Sequence, residues 1–362
     1  MLAAYVSGHG FGHGTRLAEV LRALRERAPD LPIVVTTSAP RFLFLDVVPA
    51  PLGVRPKAVD VGLVQHDALR IDEPATAEAW RRFAEGWDRL VREEARWLRA
   101  AGARLVVGDI PPLAFAAARE AGVPALGHGN FSWDWIYRHM AGRQPALAEA
   151  ADRAAEAYSS AAGLLRLPFA GDMSAFRNAR DVPLVARRPA VGREEARRRL
   201  AVDGRRMALV TFGGIGVPGL GAEELGAIEG WQFVLTGPPA AGRAPNVRHL
   251  GAPELTSLGL AYPDLVGAAD VVVTKPGYGI VSDCVGAGTR LVYTDRGDFP
   301  EYPIMVAEMS RYLPAVHASN DDVRRGRIGA ALEAVLSLPR PEPPRTDGAA
   351  VAAEALLDAL GG

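Results

Sequence analysis

The stretch ADVVVTKPGYGIVSDCVGAGTRL, residues 269–291, decides the fold. It begins as a short apolar run typical of a buried strand (271–274), breaks at KPGYG (275–279) and continues as a helical pattern. The glycines allow a tight turn, and the free N–H groups and positive dipole end of the following helix favour a phosphate. Asp283 lies just over one turn further on, within reach of ribose hydroxyls. Since such turns also occur in α/β proteins without a ligand, the stretch alone leaves a purely structural role open.

Length and composition limit the class of protein. A chain of 362 residues is long enough for two domains, and 49% apolar with 23% charged residues is typical of a packed globular protein. The 41 basic and 42 acidic residues nearly cancel, which gives no electrostatic case for nucleic acid. The single cysteine, Cys284, excludes an internal disulfide and fits a reducing compartment. With no signal-like start and no apolar run of membrane-spanning length, we expect a cytoplasmic protein.

A second glycine loop, GHGFGHG at residues 8–14, follows an apolar strand at residues 1–7 and precedes a helix. Its spacing is neither that of a dinucleotide-binding loop nor that of a P-loop. His9 and His13 lie on this loop above the strand end, where ligands bind in α/β proteins, so a functional role is favoured over a structural one. Asp109 ends another strand at the same edge and could hold an imidazole in one tautomer. Alternatively, Asp109 caps the helix that follows.

The remaining candidates lie at predicted strand ends and loops. NFSWDW (130–135) mixes polar and aromatic residues, which suits either sugar recognition or tryptophan packing. The segment 74–101 is predicted as one helix whose aromatic stripe faces the core. Short strands alternating with helices predict parallel sheets covered on both faces. The domains are expected at 1–186 and 187–338, and 339–362 is expected to form a proline-rich connector and a last helix that could pack back on the first domain.

The motifs resemble a known family. VSGHGFGHGTR, VQHDAL, NFSWDWIY, TFGG and KPGYGIVSD with DFPEYP are similar, in the same order along nearly the whole chain, to the amino-terminal glycosyltransferase-like domain of L-arabinokinases. More distantly, residues 261–283 resemble the donor half of the peptidoglycan N-acetylglucosaminyltransferase and of galactolipid synthases. The resemblance implies the GT-B fold, in which two Rossmann-like α/β domains face each other across a cleft. No ATP loop of the sugar-kinase type occurs, so kinase activity is not expected.

The resemblance also implies a reaction. It would be an inverting, metal-independent transfer of a hexosyl or related sugar from a nucleotide donor, with uridine the favoured base, to a hydroxyl acceptor, with no further cofactor. His13 would be the base, Asp109 would orient it, and His9 is the second candidate. Asp283 stands where relatives commonly have a ribose-binding Glu. The predicted donor-binding residues are Gly12, Gly213, Gly214, Thr236, Gly251, Lys275, Gly277, Tyr278, Gly279, Asp283, Asp298 and Glu301, and the predicted acceptor-binding residues are Gln65, Asp67, Asn130, Trp133 and Asp134.

Two other functions fit the same architecture. One is an epimerase or hydrolase that acts on the nucleotide sugar without an acceptor. The other is a catalytically silent domain that only binds a sugar nucleotide. Release of free nucleotide, isomerisation of the sugar, or binding alone would separate the three.

Overall fold

The computed structural model describes residues 1–66, 70–213, 220–237 and 242–361. In these ranges the strands form two sheets, one of seven strands and one of six, and every pairing between named strands is parallel. Helices lie between most successive strands, because a parallel pair needs a crossover long enough to return to the same edge. This confirms the predicted α/β class with two Rossmann-like halves.

The first half holds the seven-stranded sheet, in the order β3-β2-β1-β4-β5-β6-β7. Its β1 is buried along its whole length, as expected for an apolar strand covered on both faces. The elements are β1 (Leu2–Val6), α1 (Gly12–Arg27), β2 (Ile33–Thr37), α2 (Phe42–Leu45), β3 (Leu52–Pro56), α3 (Glu73–Glu85), α4 (Trp87–Ala100), β4 (Leu105–Asp109), α5 (Pro112–Ala121), β5 (Ala125–Gly129), α6 (Trp133–Ala141), α7 (Ala146–Ser159), β6 (Gly163–Arg166) and β7 (Ala179–Asp181).

The second half holds the six-stranded sheet, in the order β10-β9-β8-β11-β12-β13. The stretch that opened the sequence analysis forms β11, the glycine turn and α12, and β11 lies between β8 and β12 in this sheet. The elements are α8 (Arg193–Arg199), β8 (Arg206–Thr211), α9 (Ala222–Gly226), β9 (Trp231–Thr236), β10 (Val247–His249), α10 (Ala252–Ser257), α11 (Tyr262–Ala268), β11 (Val271–Thr274), α12 (Tyr278–Ala287), β12 (Arg290–Tyr293), α13 (Glu301–Met309), β13 (Ala315–His317), α14 (Asn320–Arg324) and α15 (Gly329–Ser337).

The chain ends in α16 (Gly348–Gly361), which returns to the first half and packs against α1. Its buried side chains, Leu356 and Leu360 among them, join the same core cluster as those of α1. Arg104 donates a hydrogen bond to the carbonyl of Leu360. The last helix therefore contributes to the core of the half in which the chain begins.

The segment predicted as one helix, 74–101, is two helices in the structure. α3 ends and α4 begins at Gly86, which serves as the flanking residue of both. Glycine has the weakest helix propensity after proline, so a break is least costly there. The rings of Trp80 and Trp87 lie 6.1 Å apart across the break, and both are buried. The aromatic stripe is thus core, as expected, but it is shared by two helices.

The segment 130–135, expected at a strand end, also contains the start of a helix, because α6 begins within it at Trp133. In the described parts of the chain, no helix has the combination of length and apolar composition that a membrane crossing requires.

Candidate active site between the two halves

The two glycine turns meet at the boundary between the halves. A Cβ placed on Gly279 would lie 3.6 Å from the Cα of Gly12 and 3.9 Å from the Oγ1 of Thr15. The N-termini of α1 and α12 therefore approach each other, and both first turns, which are fully described, lack an acidic residue. Two positive dipole ends converge on one region, which favours an anion between or beside them.

His13 lies in the first turn of α1 and is 5% exposed. Its Nδ1 is 2.8 Å from the Oδ1 of Asp109, at the end of β4. The two meet because β4 pairs with β1 and places Asp109 opposite Val6, just before the glycine loop. The acidic acceptor assigns the proton to Nδ1, so Nε2 of the neutral ring has a free lone pair. Among the described residues Nε2 has no hydrogen-bond partner, which leaves it able to accept a proton.

Asp109 is held by three side chains and is fully buried. Arg16 donates to both oxygens, from Nε at 2.7 Å and from Nη2 at 2.6 Å, and the Nδ1 of His128 lies 2.8 Å from Oδ2. Burial alone would raise the pKa of this carboxyl, but the charge and hydrogen bonds of Arg16, helped by the two imidazoles, hold it well below its usual range. Asp109 does not cap α5, whose flanking residue is Pro111. The alternative of a helix cap is therefore wrong.

His128 was missed in the sequence analysis, where it was part of a strand. It is fully buried in β5, and burial lowers its pKa despite the carboxylate beside it. Its Nε2 has no partner in the described ranges. An imidazole in an otherwise small and apolar strand was the available signal, because a buried polar group needs a specific partner.

His9 differs from His13 in its tautomer. Its Nδ1 accepts a hydrogen bond from the backbone N–H of Leu63 at 3.2 Å, so the proton of the neutral ring lies on Nε2. Burial, followed by the charges of His13 and Arg296, lowers the pKa of His9 to about 3. The neutral ring of His9 can donate a hydrogen bond from Nε2, whereas the Nδ1 tautomer of His13 has an acceptor lone pair on Nε2. The geometry therefore favours His13 over His9 as the base.

Asp60 is a second carboxylate near His13 that the sequence analysis missed. Its Oδ2 accepts a hydrogen bond from the Nε1 of Trp133 at 3.0 Å. Burial raises the pKa of Asp60, and hydrogen bonds from Ser7, Trp133 and Gly8 and the charge of His13 oppose that rise. Asp60 lies in a loop without a motif, so no sequence signal pointed to it.

On the donor side, Asp283 is 2% exposed and paired with Arg187. The Nε of Arg187 donates to Oδ1 at 3.1 Å, its Nη2 donates to Oδ2, and its backbone N–H also approaches Oδ1. A ribose contact at Asp283 stays a prediction, and it would require Arg187 to release the carboxylate. Tyr278 is 5% exposed and accepts a hydrogen bond from the backbone of Val185, while the guanidinium of Arg16 lies over its ring. It thus packs at the boundary between the halves.

The acidic loop before α13 contacts the first half. Asp298 lies 2.8 Å from the Nε2 of His139 and 2.8 Å from the Nη2 of Arg143, both on or just after α6. Phe299 is buried in the apolar cluster of the first half, with its ring 6.0 Å from that of Phe131. This loop therefore docks the second half onto the first, and a donor-sugar contact by Asp298 stays a prediction.

Glu301, the first residue of α13, is 1% exposed and also bridges the halves. Its Oε1 accepts from the Nδ2 of Asn130 at 2.6 Å, and its Oε2 accepts from the Nη1 of Arg296 at 2.6 Å. Asn130 is fully buried and accepts from Arg16. Both predicted ligands thus have protein partners here, and their contacts to substrate stay predictions.

The other predicted site residues are placed as follows. Trp133 is fully buried, so it offers no exposed face for stacking on a sugar, and its ring packs against those of both glycine-loop histidines. Asp134 is 8% exposed, and burial raises its pKa. Gly214 and Asp67 lie outside the described residues. In the second half, Gly213 follows β8 with φ 70°, and Thr236 ends β9 and donates a hydrogen bond to the side chain of Thr211. Gly251 precedes α10, and Gly277 precedes α12, with Lys275 two residues before it. In the first half, Gln65 forms an isolated antiparallel β-bridge with Ile71.

Metal ligation is a further role that acidic and imidazole side chains can play. Across the described ranges, no group of three or more His, Cys, Asp or Glu side chains is arranged to hold a metal ion.

Comparison with known proteins gives one curated relative and a group of solved structures. The chain is 33% identical over 343 residues to L-arabinokinase of Arabidopsis thaliana, covering 93% of this chain and 32% of that protein. The chain thus spans about a third of the length of the relative. No protein-family model matches.

The solved structures share the fold at low identity. A UDP-glucosyltransferase from Polygonum tinctorium has a TM-score of 0.62 at 16% identity, covering 100% of this chain and 99% of that one. The calicheamicin glycosyltransferase has a TM-score of 0.65 at 15% identity, covering 99% and 98%. A structure assigned as a UDP-N-acetylglucosamine 2-epimerase, from Listeria monocytogenes, has a TM-score of 0.59 at 10% identity, covering 98% and 94%. The chain therefore has the GT-B glycosyltransferase fold and resembles the glycosyltransferase-like domain of L-arabinokinases.

Proposed function

We propose that this protein is a nucleotide-sugar-dependent glycosyltransferase that moves a sugar to a hydroxyl acceptor with inversion and without a metal. The observation that carries the proposal is that the Nε2 of His13 has no hydrogen-bond partner among the described residues, while Asp109 holds the ring beside the meeting point of two helix N-termini. A base and an anion site within one cleft are the two features that an inverting transfer from a sugar diphosphate requires.

The reaction follows from these positions. The Nε2 of His13 takes the proton of the acceptor hydroxyl, and the acceptor oxygen attacks the anomeric carbon. The bond from that carbon to the diphosphate oxygen breaks, and the nucleoside diphosphate leaves with the bonding electrons. The N–H groups at Gly277 and Gly279 and the dipole of α12 stabilise the charge that develops on the diphosphate. Asp109 keeps His13 in the required tautomer and Arg16 keeps Asp109 in place.

The nucleotide sugar is proposed as a UDP-sugar because the donor-half motif, residues 261–283, resembles that of the peptidoglycan N-acetylglucosaminyltransferase and of galactolipid synthases. Solved structures with this fold include a UDP-glucosyltransferase, a transferase in complex with UDP and a glycosyltransferase in complex with dTDP. Lipids, glycans and small metabolites all carry acceptor hydroxyls that this chemistry would accept.

The direct test is incubation of the protein with UDP-, dTDP- and GDP-sugars, followed by chromatography of nucleotides and sugars. Release of nucleoside diphosphate together with a new glycoside, in the presence of a hydroxyl acceptor, supports transfer. Release that yields only free sugar would favour a hydrolase. Conversion of the sugar without nucleotide release would instead favour an epimerase, the activity assigned to one structure with this fold. A rise in melting temperature alone would favour a silent binding domain.

His13→Ala removes the base and should lower nucleotide release about 100-fold or more while leaving nucleotide binding nearly unchanged. The matched control is His317→Ala, which removes an imidazole from the exposed end of β13, where it pairs with Asp295. Full turnover by His13→Ala would show that His13 is not the base.

A further inference from the structure

One buried side chain connects the halves at the site. Asn130 follows β5 in the first half, and it is fully buried. Its Oδ1 accepts a hydrogen bond from the Nη1 of Arg16 at 2.6 Å, and its Nδ2 donates to the Oε1 of Glu301 at 2.6 Å. The amide thus offers an acceptor to one neighbour and a donor to the other.

The contacts continue on both sides of Asn130. In the first half, Arg16 donates hydrogen bonds to both carboxylate oxygens of Asp109. The Oδ1 of Asp109 is also hydrogen-bonded to the Nδ1 of His13. These contacts within the first half are almost completely buried, since Arg16 is 4% exposed and Asp109 is fully buried. A displacement of Arg16 would therefore move Asp109 and change the orientation of the His13 ring, because solvent could not replace the lost hydrogen bonds at a buried site.

In the second half, the Oε2 of Glu301 accepts from the Nη1 of Arg296, and the same Nη1 donates to the carbonyl of Pro276 at 3.1 Å. Pro276 immediately precedes the glycine turn at the start of α12. A continuous path of hydrogen bonds thus runs from the proposed diphosphate site to the proposed base.

We propose that Asn130 is a positioning residue that couples docking of the donor half, through Glu301, to the orientation of His13. When Glu301 is in contact, the amide is fixed, Arg16 has a fixed acceptor, and Asp109 holds the imidazole toward the cleft. When the halves separate, Asn130 loses its only described partner from the second half, and the hold of Arg16 on Asp109 loosens. The catalytic part of this inference rests on the proposed function, whereas the coupling itself does not.

The test exchanges the donor and acceptor of one hydrogen bond. Asn130→Asp is isosteric and keeps the acceptor for Arg16, but it removes the donor and places a carboxylate against Glu301. Adding Glu301→Gln gives a double variant in which the new amide on α13 donates to the new carboxylate after β5, with the net charge of the natural pair restored. The matched control is Glu308→Gln on the same helix, which makes the same charge change as Glu301→Gln at a side chain without a hydrogen bond or ion pair in the described residues.

The first readout needs no activity. In protein with ¹⁵N-labelled histidines, the ring resonances of His13 are assigned by their loss in His13→Gln. Asn130→Asp should shift the His13 resonances, Glu308→Gln should not, and the double variant should bring them back toward their natural positions. If the double variant resembles Asn130→Asp, or if Asn130→Asp leaves the His13 ring unchanged, the coupling is refuted. Should Asn130→Asp fail to fold, Glu301→Ala must produce the same shift from the other half.

The second readout is donor turnover. Asn130→Asp should lower kcat about tenfold with the Kd for UDP changed less than about threefold, and the double variant should recover most of the loss. A loss of UDP binding in step with kcat would contradict a positioning role. If no donor is turned over by the natural protein, the proposed function fails, and the histidine spectra still decide the coupling.

Discussion

At the scale of single residues, the central feature is a carboxylate that serves three neighbours. Asp109 is fully buried, and within the described ranges its charge is balanced by Arg16 and by the hydrogen bonds of His13 and His128. A buried ion pair adds little stability compared with an apolar pair, but removal of one partner leaves a buried charge without compensation. The same contacts that orient His13 therefore also support the fold around it.

Asp109→Asn should lower both activity and stability. The buried guanidinium of Arg16 would lose its counter-charge, at a cost of about 3–5 kcal/mol in the free energy of unfolding. An amide at this position can also present its N–H₂ group to the imidazole and favour the wrong tautomer. Urea unfolding measures the first effect. The control is Asp181→Asn, whose pair with Arg166 is exposed and should change stability by less than about 1 kcal/mol.

The stability difference between the natural protein and Asp109→Asn should depend on pH. Because the pKa of Asp109 is lower in the folded than in the unfolded chain, its ionised form stabilises the protein above the unfolded pKa, about 3.9. This contribution declines as the pH falls toward the folded pKa. In urea unfolding, the free-energy difference between the natural protein and Asp109→Asn should therefore be smaller at acidic pH than at pH 7. An equal difference at both values would show that Asp109 does not titrate as described.

At the scale of elements, the close approach of α1 and α12 depends on small residues. A Cβ at Gly279 would make an ordinary contact with Gly12, so alanine fits, whereas a branched side chain would overlap the facing turn. The two helix N-termini can share one anion only at this separation. The glycines at this turn thus matter for the approach of two helices as well as for the turn itself.

Gly279→Ala should bind UDP nearly as well as the natural protein, and Gly279→Val should bind it at least about tenfold more weakly, because a β-branched side chain both separates the helices and crowds the anion site. Isothermal titration with UDP measures the effect. Gly192→Val is the control, since Gly192 lies at the N-terminus of α8 and has open space around its Cβ position. Equal UDP affinity of the two Gly279 variants would count against a shared site.

At the scale of the whole molecule, the loop before α13 makes two kinds of contact with the first half. Phe299 buries its ring in the apolar cluster of the first half, whereas the side chain of Asp298 beside it is 61% exposed in its ion pairs. Burial of an aromatic ring contributes far more than an exposed ion pair. The apolar contact should therefore decide how firmly the halves dock.

Phe299→Ala should loosen the docking of the halves, with a cost of about 3 kcal/mol or more for the lost ring. We expect a larger radius of gyration in small-angle scattering and less cooperative thermal unfolding. Asp298→Ala, its neighbour, should leave both nearly unchanged at moderate salt, because solvent and ions screen exposed pairs. A compact Phe299→Ala protein would show that other contacts set the arrangement.

Local patterns were sufficient for the fold. Apolar strands, glycine turns and amphipathic helices are read from residues close together in the chain, so the two α/β halves and the turns of β1–α1 and β11–α12 could be predicted. The break at Gly86 and the start of α6 at Trp133 were missed, because one helical pattern continues through the first and aromatic residues suit a loop or a helix in the second.

The contacts within the candidate site could not be predicted from local sequence patterns alone. The sequence by itself determined that His13 and Asp109 lie near strand ends, since Asp109 ends its own strand and His13 belongs to the glycine loop that follows the first strand. Only the tertiary structure decided that they touch, that Arg187 covers Asp283 and that Asn130 meets Glu301. The physical reason is that these pairs are separated by 96 or more residues in the chain, so the order of strands and the docking of the halves, rather than any local preference, bring their polar atoms together.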